Sequence, residues 1–187
     1  MNTTFSFRKM ISVAVLILTI FAFTAPQKVY ANSLEFNGGP GGRGGQPIVP
    51  GNGSSVTPLT TQEQEGLKSA ILEEYGALNL YKSVISQLDI VYPFDGISAA
   101  EQKHVDALIK QASKYGVAIP ANPGLTTPIT FSTLADACQA GAAAEIADAA
   151  LYDELKTFTT NIGLLRVYNN LQSASLKNHL PEFQSCD

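Results

Sequence analysis

Glu101 and His104, in the run AAEQKHVDAL, stand three residues apart, so on a helix they share a face and can reach one centre. Carboxylate and imidazole together are the usual donors of iron and other divalent-metal sites in helical proteins. Glu-x-x-His also arises by chance on solvated helix surfaces, so the pair alone decides nothing. Glu74, Glu145, Asp148 and His179 give it weight, because they lie in three other segments, each inside an apolar rhythm rather than on a charged face.

The spacing makes those segments helices. Leu67, Ile71, Glu74, Leu78, Tyr81, Ile85 and Leu88 follow at alternating intervals of four and three, one face of a helix over about 61–88. Thr60 and Glu63 form a capping box at its start. A second helix, about 97–115, carries Ile97, Glu101, His104 and Leu108 in the same rhythm. A third, about 132–156, runs through Leu134, Cys138, Gly141, Glu145, Asp148, Tyr152 and Leu155. The fourth, about 162–184, has Leu164, Tyr168, Leu171, Ser175 and His179; it is the least regular, and Pro181 should weaken or bend its last turn.

A turn containing Pro93 joins the first two helices, and a Pro/Gly-rich connection, 116–130, is long enough to cross from one end of a bundle to the other. No segment sustains the alternation of a strand, so the expected fold class is all-α, a four-helix bundle. A weak internal repeat agrees. Glu74 is followed seven residues later by Tyr81, and Glu145 by Tyr152, while each remaining helix carries one of the two histidines.

Burying isolated carboxylates is costly unless something neutralises them. The apolar stripes contain no Lys or Arg, so a metal ion is the economical counter-charge. Hydrogen bonds alone are the alternative. Asp148 equally suits capping a polar network, and Tyr81 and Tyr152 read as core residues whose hydroxyls find a carboxylate.

Residues 1–31 read as a signal peptide: Arg8 and Lys9, then the apolar run Ile11 to Phe23, then Val29-Tyr30-Ala31, with cleavage expected after Ala31. An uncleaved anchor is the rival, disfavoured by Pro26 and by the shortness of the run. The mature chain is therefore expected to be secreted or periplasmic, with no stable membrane span. Residues 32–58 hold eight glycines and four prolines and form a flexible tether, which includes the sequon Asn52-Gly53-Ser54. The domain itself is 59–187.

The whole chain has 12 basic and 16 acidic residues; loss of Arg8, Lys9 and Lys28 leaves nine basic residues and a formal charge of −7, which argues against nucleic acid as partner. Both methionines fall in the leader, so no thioether ligand remains. Neither histidine is accompanied by a nucleophile elbow or a Gly-rich oxyanion loop, which sets Ser-His-Asp hydrolysis aside.

Several runs, in order, resemble the ferritin-like proteins known as domain of unknown function 2202. They are Glu74-x-x-Ala77-x-x-x-Tyr81, Phe94-x-x-Ile97-x-x-x-Glu101-Gln102-Lys103-His104, Gly141-x-x-x-Glu145-x-x-Asp148, Val167-Tyr168-x-Asn170-Leu171, and Ser175 to His179-Leu180-x-x-Phe183. The likeness spans residues 59–184. It implies a ferritin-like up-down bundle with a long crossover and a di-iron or related site, with ligands at Glu74, Glu101, His104, Glu145 and His179. Such sites usually carry a second Glu-x-x-His on the fourth helix; here Leu176 stands three before His179, so Asp148 is the candidate replacement and a mononuclear site stays open.

In that architecture Cys138, early in the third helix, and Cys186, just after the fourth, lie at one end of the bundle. A disulfide is expected there rather than a catalytic thiol. The function expected is an exported iron-binding protein with a capacity for Fe(II) oxidation. Metal sequestration without turnover, or a structural helical module, are the alternatives, and homo-oligomerisation is left open.

Overall fold

The computed structural model describes residues 57–89 and 92–186; the expected signal peptide with its expected cleavage after Ala31, and all but the end of the expected tether, lie outside these residues. All regular structure among the described residues is helical: α1 (Thr61–Leu88), α2 (Phe94–Tyr115), α3 (Leu134–Phe158), α4 (Ile162–Ala174), a π-helical turn (Ser175–His179) and α5 (Leu180–Gln184). None of these helices is long and apolar enough to cross a membrane.

Capping fixes where the helices begin. The Thr60 hydroxyl accepts from the Glu63 amide at 3.1 Å and Glu63 Oε2 accepts from the Thr60 amide at 2.9 Å, the reciprocal box expected. Thr133 and Asn161 cap α3 and α4 through their side chains. Gly116, at φ 68°, ends α2 in the left-handed region that a residue with a Cβ enters at a cost.

Contacts between α1 and α3 fix their relative direction. Glu63 Oε1 accepts from the Thr160 and Asn161 amides at 2.8 and 2.9 Å, Glu74 meets Tyr152, Tyr81 meets Glu145, and Gln87 bonds the backbone of Ile129 and Phe131. Rising numbers on α1 therefore face falling numbers beyond residue 116, so α1 and α3 run antiparallel. The connection 116–133 passes along α1, held where Asn79 donates to Asn122 at 2.7 Å.

The apolar core has two parts. One gathers Leu67, Ile71, Leu108, Tyr152, Leu155, Leu164 and Tyr168; the other gathers Tyr81, Val84, Phe94, Ile97, Cys138 and Phe183. Apart from Glu63 at the start of α1, the buried polar residues of the helices fall between the two sets of numbers, so the polar level sits mid-length with an apolar plug on each side. Phe183 packs against the rings of Tyr81 and Phe94, each at 5.1 Å, and lies over Gly141, where a Cβ would stand 2.7 Å from its ring. Cys138 and Cys186 form the expected disulfide, with Cα atoms 6.0 Å apart, tying the C-terminal tail to α3.

The expected fourth helix is broken by the π turn. Leu171, Ser175, His179 and Phe183 are all buried and spaced by four. In an α-helix each such step rotates the stripe by about 40°, so three steps would swing Phe183 away from the core. The π turn, closed by the Leu180 amide on the Ser175 carbonyl, holds the extra residue and keeps all four inside. Pro181 contributes, since its ring would crowd the carbonyl of Lys177 in a regular helix. The irregularity thus precedes the proline, a turn earlier than its sequence position alone suggests.

Candidate metal centre

Burial along each helix follows from its apolar stripe, and the polar residues embedded in those stripes are carried inward with it. Glu74 from α1, Glu101 and His104 from α2, Glu145 and Asp148 from α3 and His179 from the π turn are all buried. No lysine or arginine is buried among the described residues.

Two trios form. Glu74, Glu101 and His104 place ligand-type atoms within 4.8 Å of one another, and so do Glu101, Glu145 and His179. Glu101 belongs to both. Its Oε2 lies 2.8 Å from His104 Nδ1 and its Oε1 lies 2.9 Å from His179 Nδ1. Glu74 Oε2 approaches His104 Nδ1 at 3.3 Å, and Glu145 Oε2 approaches His179 Nδ1 at the same distance.

The outer carboxylate oxygens are held by tyrosines in a reciprocal pattern. Tyr152 of α3 donates to Glu74 Oε1 of α1 at 2.5 Å, and Tyr81 of α1 donates to Glu145 Oε1 of α3 at 2.6 Å. The repeat Glu then Tyr, seven residues on, is thus read across the helix pair. Each hydroxyl turns one carboxylate oxygen away from the centre and leaves the other facing the imidazole.

Electrostatics follow from burial and from these contacts. Burial pushes the Glu74 carboxyl well above its usual range, with the charge of Asp148 adding to the effect and His104 opposing it. Burial acts the same way on Glu101, yet the close imidazoles of His104 and His179 outweigh it and hold that carboxyl below the usual range. Burial would lower both imidazoles, but their carboxylate neighbours raise His104 to about 10 and His179 to about 9. The imidazoles so raised are charged partners of the carboxylates at neutral pH, and a metal ion binding there would have to displace their protons.

Asp148 joins neither trio. Its Oδ2 accepts from Ser175 at 2.7 Å, and burial followed by repulsion from Glu101 and Glu145 lifts it to about 8 against the Ser175 bond. The Ser175 bond agrees with a network-capping role, while Asp148 Oδ1 is buried without a hydrogen-bond partner. Leu176, three before His179, is exposed, so the fourth helix contributes no second carboxylate there. The partners of Ser175 and Glu63 escaped the sequence reading: both are buried and hydrogen-bonded, but the sequence marked Ser175 only as a stripe position and Glu63 only as part of a capping box.

The donor set fits a metal ion in its chemistry. The geometry adds a second point. Glu101 Oε1 and His179 Nδ1 lie 2.9 Å apart but are not aligned for a hydrogen bond, and both are buried without a hydrogen-bond partner, although Glu145 Oε2 also stands 3.3 Å from the Nδ1. Two donor atoms that converge without bonding each other are disposed as ligands of a shared ion would be.

No family model matches the chain, and no curated protein or solved structure does either.

Proposed function

We propose that this is an exported metal-binding protein, with iron the first candidate, whose helices form a ferritin-like up-down four-helix bundle. The proposed ligands are Glu74, Glu101 and His104 for one position and Glu101, Glu145 and His179 for another, with Glu101 common to both. The observation that carries the reading is the placement of Glu101 between two imidazoles from different helices, at 2.8 and 2.9 Å. Bound iron would supply one-electron chemistry toward oxygen or peroxide, and Fe(II) oxidation is the activity proposed. The chain's own residues bind, neutralise and orient: Tyr81 and Tyr152 aim the outer carboxylates, and the apolar plugs on both sides exclude water.

Elemental analysis of the purified mature protein tests this reading. Retained iron, lost in Glu101→Ala and His104→Ala, supports it; metal content unchanged in both variants rejects the site. An Fe(II) oxidation assay in air then separates turnover from sequestration.

One observation favours a second, structural reading. Each imidazole already sits between two carboxylates, so the centre can neutralise part of its own charge. A protein that melts at the same temperature with and without added divalent metal would favour that reading.

A further inference from the structure

The six buried acidic and imidazole groups are not equally sealed. Glu74, Glu101 and Glu145 are 1–2 % exposed, whereas Asp148 and His179 are 5 % and His104 8 % exposed. His104 is thus the most accessible of the six, while Tyr81 and Tyr152 cover the outer oxygens of Glu145 and Glu74. A cleft of about 380 Å³ lies between the first half of α2 and the π turn, lined by Gly96, Ile97, Ala100, Asn178, His179 and Glu182. His179 is thus both a cleft wall and a member of the centre.

Small residues open this cleft. Gly96, Ala100 and His104 follow at intervals of four down α2, and nothing lies within 4 Å of where a Gly96 Cβ would be. The π turn shapes the opposite wall, because the surplus residue that keeps His179 inward leaves Lys177 and Asn178 exposed beside it. The lip bears one carboxylate, Glu182. A volume of this size admits a hydrated ion or a molecule of few atoms.

Resting on the metal reading above, we infer that this cleft is the entry route by which a divalent cation reaches the centre past His179, with Glu182 drawing the cation to its mouth. A carboxylate at the mouth raises the local concentration of cations there and hence the rate of entry, against the opposing charge of the His179 imidazole. Ala100 sets the width of the passage and touches none of the proposed ligand contacts.

The test follows Co(II) uptake by the metal-free mature protein, by rapid-mixing absorption and by elemental analysis after desalting. Ala100→Phe should load at least about tenfold more slowly than wild type and reach the same final metal content. Ala99→Phe, on the same helix but exposed and outside the cleft, should load at the wild-type rate. Glu182→Gln should slow entry about two- to fivefold at low ionic strength, the difference vanishing in high salt. If Ala100→Phe does not fold, Asn178→Trp, at an exposed position on the facing wall, makes the same obstruction. Wild-type rates in the obstructed variant, or equal slowing in Ala99→Phe, overturn the route while leaving the metal reading intact. No Co(II) uptake by wild type removes the metal reading itself, and the route with it.

Discussion

The rings of His104 and His179 stack with centroids 5.3 Å apart and planes inclined by 21°, although they stand on α2 and on the π turn. Two imidazoles raised in pKa would repel if charged and stacked alone. The carboxylate of Glu101 reaches both, and this shared acid makes the arrangement tolerable. The histidine pair therefore reports on Glu101, and through it on the whole centre.

Tyrosine hydroxyls are the outer supports. Tyr152→Phe removes the donor to Glu74 Oε1 and leaves a buried carboxylate oxygen without its partner, at an expected cost of roughly 1–3 kcal/mol in denaturant unfolding of metal-free protein. Tyr81→Phe should cost a similar amount through Glu145. An unfolding midpoint unchanged in both variants would mean the hydroxyls do not support the carboxylates.

Glu63 ties the start of α1 to the α3–α4 turn. Burial would raise its carboxyl, but the amides of Thr60, Thr160 and Asn161 and the Thr160 hydroxyl hold it at about 2, below the ordinary 4.5. A depressed carboxyl contributes stability above pH 4.5 that is lost as pH falls toward 2. Glu63→Gln should be less stable than wild type by about 2 kcal/mol at neutral pH, with the two converging in acid. A gap that persists unchanged in acid would point to lost packing instead.

Reduction of the Cys138–Cys186 disulfide frees the tail that follows α5. The double variant Cys138→Ser, Cys186→Ser is expected to lose about 2–4 kcal/mol, read as a lower unfolding midpoint under non-reducing conditions. Mass mapping that finds both thiols free in the native protein would remove this bridge.

Gly141→Ala places a methyl against the Phe183 ring at under 3 Å. Phe183 is wedged between Tyr81 and Phe94 and cannot retreat freely, so a loss of roughly 1–3 kcal/mol is expected from calorimetry. An unchanged Tm would show that α5 shifts at little cost.

The helices and their inward faces were legible because a long apolar stripe at helical period leaves few alternatives. Glu74, Glu101, His104, Glu145 and His179 were found the same way, as polar residues inside apolar stripes. Other features depend on contacts between segments far apart in sequence. That Tyr152 serves Glu74 rather than its own-helix neighbour Glu145 requires the antiparallel docking of α1 on α3. The π turn left only an irregular spacing, since its cause is the packing of Phe183 as much as the ring of Pro181. Asp148 shares the stripe of Glu145, but Ser175 captures it, and nothing near Asp148 in sequence announces that partner. Glu63 was visible as a cap and invisible as a tie to residues 160 and 161.

Diffraction data collected at the iron absorption edge from crystals of iron-loaded protein test the central claim most directly. An anomalous peak within bonding distance of the Glu101 carboxylate and of His104 or His179 is the result predicted. An iron-loaded crystal whose anomalous peaks all lie elsewhere, with the Glu101 carboxylate still paired to the two imidazoles, would contradict it.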